Sequence, residues 1–204
     1  MSDTSSIEPI WYSYKGIPYN GKMPNFYDPK DFPWVAELEA NFDTYKKEIE
    51  AYLEDSGTKM QPYFNDDIIS RFRSWQVSVF YAWRIRKHKN LAKVPKLEKL
   101  FASIPNFVSA SISLLEPDAE ITPHHGDTNG IVRCHVGLTI PAGLPEVGFR
   151  VGDETRPWEE GKTLLFCDAR DHSAFNKSTE NRFILLIDVM HPNYASKRGS
   201  VCSN

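Results

Sequence analysis

The chain has 204 residues, 41% of them hydrophobic, with 24 Lys plus Arg against 27 Asp plus Glu and a formal net charge of -3. That length holds one sizeable core, and the near-balanced charge excludes a disordered polyanion and a globally basic nucleic-acid binder. Five Trp, nine Tyr and twelve Phe are many for this size, and such aromatics either fill a core or line a pocket.

Met1–Ser6 has neither the positive charge nor the apolar run of a secretory leader. Nothing later approaches the ~18 apolar residues of a membrane span. Cys134, Cys167 and Cys202 are odd in number and fit no zinc or thioredoxin spacing; free thiols suit a reducing compartment. A cytoplasmic protein without a membrane span is expected. Residues 1–30 read as an irregular arm carrying Trp11, Tyr12, Tyr14, Tyr19, Phe26 and Tyr27. Asp31 to Glu54 predicts one helix, capped by Asp31, with Trp34, Leu38, Phe42, Tyr45, Ile49 and Tyr52 at helical spacing. A short helix is expected over Asp66 to Arg73.

From Trp75 the period becomes two, placing Trp75, Val77, Val79, Tyr81 and Trp83 on one aromatic strand face. The basic stretch 84–99 follows, read as a solvated loop and helix face, with Pro95 opening a short helix. Six short β-branched segments then predict strands: 107–115, 131–140, 147–151, 163–168, 173–176 and 182–189. The fold class is α+β: a single domain in which a jelly-roll barrel of the double-stranded β-helix, cupin-like kind is supported by N-terminal helices. Its parts are the arm 1–30, helical and strand support 31–104, the barrel core 105–192, and a tail 193–204.

The chemistry concentrates in the barrel. His124 follows Pro123 in a turn-like stretch, and His172, 48 residues later, starts a strand. Two histidines at strand ends suit a divalent Fe, Zn, Cu or Ni ion at a barrel mouth. Arg133, His135, Gly137 and Thr139 share one strand face, and Val132, Cys134, Val136 and Leu138 the other. A face of Arg, His, Gly and Thr is hard to explain as core, so it predicts a polar pocket.

From Ser113 to Pro192 the sequence resembles the aspartyl/asparaginyl β-hydroxylase family of non-haem iron, 2-oxoglutarate-dependent oxygenases. The resemblance rests on Pro-His-His-Gly-Asp-Thr-Asn (123–129), Arg-Cys-His-Val-Gly-Leu (133–138), Gly-Asp-Glu-Thr-Arg-Pro-Trp-Glu-Glu-Gly-Lys (152–162), His172, and Arg-Phe-Ile-Leu-Leu-Ile-Asp-Val-Met-His-Pro (182–192). It implies His124 and His172 as iron(II) ligands, and Arg182 as the cation for the distal carboxylate of 2-oxoglutarate. Ser113, Arg133 and His135 also face the cosubstrate by the same resemblance. Gly126 stands where most such oxygenases carry a third, carboxylate ligand, a departure this family shares, with water in the vacant site; Asp127 falls one residue too late. His125 reads as a surface or supporting group, the Glu154–Trp158 loop as structural, and Asp168 and Asp188 as hydrogen-bonding support.

The implied reaction consumes dioxygen and 2-oxoglutarate and hydroxylates an amino-acid, peptide or small-molecule substrate. An iron halogenase, a cupin-like metal isomerase or hydrolase, and a non-catalytic ligand-binding barrel are the alternatives. The first 100 residues match nothing in this resemblance.

Overall fold

The computed structural model describes residues 7–197. The expectations drawn from Met1–Ser6, from Cys202 and from the end of the tail lie outside the described residues.

The expected single helix divides into α1 (Pro33–Ala40) and α2 (Phe42–Glu54). Asn41 separates them, with φ -107° and ψ 16°, and its side-chain amide donates to Glu37 O at 2.9 Å. Such a local bond competes with the helix ladder. Asp31 caps nothing here; Asp28 caps a preceding 3-10 turn, Pro29–Asp31, by accepting from Lys30 N at 2.9 Å. Trp34, Leu38, Ile49 and Tyr52 are buried, as their spacing predicts. Two shorter helices follow, α3 (His88–Leu91) and α4 (Pro95–Ser103), while the helix expected over 66–73 shrinks to a 3-10 turn, Asp66–Ile68.

The strands are β1 (Phe26–Tyr27), β2 (Gln61–Pro62), β3 (Trp75–Ala82), β4 (Ile85–Arg86), β5 (Phe107–Leu115), β6 (Ala119–His124), β7 (Ile131–Thr139), β8 (Val147–Val151), β9 (Glu154–Arg156), β10 (Thr163–Cys167), β11 (His172–Asn176) and β12 (Arg182–Met190). They build two antiparallel sheets. The larger runs β1-β10-β7-β12-β5-β3-β2 with β4 beside β3; the smaller runs β6-β11-β8-β9. Trp75, Leu115, Phe166 and Ile184 of the first pack with Ile121, Val147, Phe149 and Ala174 of the second. The sheets therefore face each other as a double-stranded β-helix, the cupin-like jelly roll. The outer face of the large sheet, with Val132, Cys134, Val136 and Leu138, packs against the helices.

Three local readings change. β6 ends in Thr-Pro-His, and Pro123 reads as a turn; the strand tolerates it because β6 is an edge of the small sheet. His124 thus closes a strand. In β3 the pairing with β5 shifts between Val79 and Tyr81, a bulge that divides the expected aromatic face. Trp75 remains between the sheets, while Tyr81, expected on the same face, packs with Phe101 and Phe107 against the helix-side core; Phe80 lies in that core as alternation predicts, and Ser78 Oγ meets Tyr52 Oη at 2.6 Å. Finally, the barrel reaches beyond 105–192: β3 pairs with β5, and β1, from the arm, pairs with β10.

Phe80 is fully buried where α2, α4 and β3 meet. Phe80→Ala should lower unfolding stability by about 3–5 kcal/mol in urea denaturation. Phe64→Ala, at an exposed ring, should change it by less than about 0.5 kcal/mol.

Candidate metal and cosubstrate site

Alternate residues of neighbouring strands turn into the space between the sheets: Arg133 and His135 from β7, Ser113 from β5, and Arg182, Ile184 and Leu186 from β12. With Trp75, His124, Phe149, Trp158 and His172 they enclose a cavity of about 390 Å³, counted to its open mouth.

The β6–β11 register sets His172 directly opposite His124, and the ring centroids are 4.2 Å apart. Each ring turns Nδ1 to a backbone carbonyl two residues back, His124 to Thr122 O and His172 to Arg170 O, both at 2.8 Å. A carbonyl only accepts, so both Nδ1 atoms carry the hydrogen and both Nε2 atoms keep a lone pair. Burial holds both imidazoles below their ordinary range, and the neighbouring His124 lowers His172 further. Neutral imidazoles with a free Nε2 are the donors a divalent transition metal takes. Among the described residues no group of three or more His, Cys, Asp or Glu is placed to hold a metal. A metal here would have these two protein ligands.

Arg182 is the second feature. It is 1% exposed, and neither Nε nor Nη1 has a hydrogen-bond partner. Its guanidinium lies over the Trp158 ring, 4.7 Å from the centroid, and burial pushes it down to about 9. A buried guanidinium with unpaired donors is costly unless an anion completes it. His135, beside it in the cavity, lies 4.8 Å from the rings of both Phe149 and Phe166, and its Nδ1 also has no partner. Burial, then Arg133 and Arg182, keep it well below the imidazole range. Ser113 Oγ accepts from Trp75 Nε1 at 2.9 Å, fixing that indole in the wall.

Gly126 has a steric reason. A Cβ there would overlap the Asp168 carboxylate, which arrives from the turn after β10. Gly126 N donates to Asp168 O at 2.8 Å, and Asp127 N to Asp168 Oδ2 at 3.3 Å. Burial pushes Asp168 up to about 7, against the pull of Arg133. Asp127 itself is exposed, its carbonyl taken by Ser13 N at 2.9 Å. His125 bonds Ala169 O through Nδ1 at 2.8 Å and meets the edge of Trp11.

The six candidates His124, His172, Arg182, Ser113, Arg133 and His135 all line this one cavity. The reading of Trp158 as a structural cover missed its place against Arg182, and Trp75 and Phe149 were not singled out as walls. Only their aromatic character pointed to them.

Fold and cavity define a class: a cupin-like jelly roll with two inward histidines and an unpaired arginine. Residues 39–192 match the family model described as Aspartyl/Asparaginyl beta-hydroxylase. The chain belongs to the aspartyl/asparaginyl beta-hydroxylase family. The match begins well before Ser113, because α2, β3 and their packing belong to the same domain.

Over 174 residues the chain is 30% identical to an ornithine lipid ester-linked acyl 2-hydroxylase from Rhizobium tropici, covering 83% of this chain and 61% of that protein. It is 29% identical to human aspartyl/asparaginyl beta-hydroxylase over 191 residues, covering 89% of this chain and 24% of that protein. Human aspartate beta-hydroxylase domain-containing protein 2 is 38% identical over 117 residues, covering 53% of this chain and 31% of that protein. The chain thus spans less than two thirds of each relative. Among solved structures, the Schizosaccharomyces pombe Cnp3 cupin domain aligns with TM-score 0.44 at 10% identity, covering 70% of this chain and 76% of that one. A cupin-2 domain from Rhodospirillum rubrum aligns with TM-score 0.41 at 11% identity, covering 67% and 72%.

Two outcomes are expected of the ligand-free chain. Arg182→Met, which removes the unpaired charge, should raise unfolding stability by about 1–4 kcal/mol in chemical denaturation. Second, His124, His135 and His172 have folded values below the ~6.5 of an unfolded chain. Below that pH the unfolded state binds protons that the folded state refuses, so stability falls as pH drops from about 6.5. Urea midpoints between pH 7.5 and 5.5 should show the fall, and His135→Phe should make it shallower.

Proposed function

We propose that this hydroxylase-family chain is an iron(II)/2-oxoglutarate-dependent dioxygenase that hydroxylates an unactivated carbon of an amino-acid, peptide or small-molecule substrate. One substrate C–H, dioxygen and 2-oxoglutarate give the alcohol, succinate and carbon dioxide. The observation that carries this reading is the unpaired buried guanidinium of Arg182 in the same cavity as two neutral, Nε2-free imidazoles. A metal enzyme without a dicarboxylate cosubstrate has no need of that cation.

His124 and His172 would hold the iron through Nε2, and the bound metal would supply activation of dioxygen coupled to decarboxylation of the keto acid. Arg182 binds the distal carboxylate, and Trp158 fixes the plane of the guanidinium. Ser113 and the indole it anchors wall the same pocket. Phe149, Ile184 and Leu186 exclude water around the reacting carbon. His135, kept neutral by its surroundings, can donate one hydrogen bond without adding a charge beside Arg182. The relatives' names include both a lipid acyl hydroxylase and aspartyl/asparaginyl hydroxylases; an amino-acid, peptide or other small substrate is the class proposed here. Among the described residues no helix is long and apolar enough to cross a membrane. The free, buried thiols of Cys134 and Cys167 support a cytoplasmic setting as part of the proposal.

Anaerobic titration with iron(II) and 2-oxoglutarate should produce a metal-to-ligand charge-transfer band, and His172→Ala should abolish it. Arg182→Ala should weaken 2-oxoglutarate binding at least about tenfold, the loss of a charge-assisted hydrogen bond, while metal content stays near normal. No band, or equal loss of metal and cosubstrate, defeats the assignment. A screen of amino acids, peptides and acyl compounds for substrate-dependent succinate release, followed by product mass spectrometry, identifies the substrate. Chlorine gained in place of oxygen would mark a halogenase.

A further inference from the structure

The segment 84–99 holds seven of the chain's 24 Lys and Arg but only one of its 27 Asp and Glu, Glu98. The fold gathers this charge at one end of β3. Tyr81 pairs with Arg86 and Ala82 with Ile85, so Trp83 and Arg84 form a two-residue hairpin turn. Both take the left-handed backbone, with φ 46° and 70°, which such turns ordinarily give to Asn or Gly. A Trp and an Arg there cost conformational energy that Asn-Gly would avoid, which points to a use for the side chains themselves. The Trp83 ring packs onto the cluster of Val108, Ile131 and Met190. Arg84 is left exposed at the tip.

The acids nearby are already engaged. Glu98 pairs with Arg86, Asp55 with Lys93 at 3.0 Å, and Glu48 accepts from Lys96 N and Leu97 N at 3.0 and 2.8 Å. Arg84, Lys87, Lys89, Lys96 and Lys99 are exposed, and among the described residues none of them forms an ion pair. The Arg86–Glu98 pair is itself half-exposed, so it contributes little and opens readily to another anion. Between the hairpin and α4 lies a groove of about 650 Å³, counted to open solvent, with Tyr81, Phe101, Ile104 and Phe107 along it and Arg84 and Arg86 beside them. Ile85 takes the other side of the same tip and is 54% exposed.

Cations beside an apolar tip and an aromatic groove fit an anionic bilayer: the surface potential attracts the charges, and the apolar groups meet acyl carbon. A partner strand has little to add to, because β4 is two residues long. Most of the chain's acid lies elsewhere, so the attraction also orients the molecule. We propose that the β3–β4 hairpin and the α4 groove form a docking surface for an anionic phospholipid bilayer, with Arg84 and Arg86 meeting headgroup phosphates and Ile85 entering the interface. The hairpin stands at the end of the large sheet that carries Arg133. Asp188 is opposite both Arg133 and Ser109, and Ser109 Oγ accepts from Trp83 N at 3.0 Å. Docking would bring that end of the barrel toward the lipid.

The test is co-sedimentation of the full chain, without metal or cosubstrate, with vesicles of phosphatidylcholine alone and of equimolar phosphatidylcholine and phosphatidylglycerol. The mixed vesicles should retain the chain at low salt and release it as salt rises; the neutral vesicles should not retain it. Arg84→Glu/Lys87→Glu should weaken retention at least about tenfold. So should Lys87→Glu/Lys89→Glu, which leaves the turn untouched. Ile85→Ser should weaken it at least about threefold. Lys162→Glu/Lys177→Glu, the same charge change elsewhere on the surface, should alter it less than about threefold. Equal retention by both vesicles, or by neither, overturns the inference. So does an equal loss in the Lys162/Lys177 pair, or full retention of Ile85→Ser. Binding to poly-glutamate where the mixed vesicles retain nothing also overturns it, and marks an acidic protein as the partner. Neither result depends on iron, so the dioxygenase reading stands or falls separately.

Discussion

Side-chain alternation across the large sheet is the constraint on which the rest depends. Neighbouring residues of a strand point to opposite faces, so β7 alone sends Arg133 and His135 inward and Val132, Cys134, Val136 and Leu138 outward. A jelly roll whose interior holds two arginines and three histidines cannot draw all its stability from that interior. The outer face must bury its own apolar surface, and α1, α2 and α4 cover it. The helices are thus what permits a polar cavity inside a small barrel.

Within the cavity, space and charge are settled together. Gly126 leaves room for Asp168, and Asp168 reaches Arg133, which Asp188 already grips from the next strand. A carboxylate sits beyond His124 after all, but it comes from the turn after β10 and lies against an arginine. Arg182 is left with no such partner, and Trp158 covers its face without neutralising it. Two residues of one type, on adjacent strands, are thereby given different surroundings.

Much of this was legible in the chain. Six strands of the core and the polar face of β7 follow from period-two patterning and from turn residues, while the pairing of His124 with His172 follows from the order of the family's motifs. Other features were hidden for physical reasons. Pro123 masks β6, because an edge strand can omit a donor that a central strand cannot. The bulge between Val79 and Tyr81 turns the Tyr81 ring to the helix-side core, and no alternation rule anticipates an inserted residue. Asn41 divides a helix whose apolar spacing runs on past it. The wall residues Trp75, Phe149 and Trp158 lie far apart in sequence, and nothing local marks them as neighbours.

The sequence by itself determined which residue types were available and on which side of each strand they would point, because backbone geometry makes alternation a local property. It also carried the family's motifs in order. Only the tertiary structure decided which charges meet. Arg133 and Arg182 are indistinguishable as strand arginines until sheet register brings Asp188 opposite one and the fold leaves the other beneath Trp158. Electrostatic pairing depends on distance through space, and distance through space is what a linear chain does not specify.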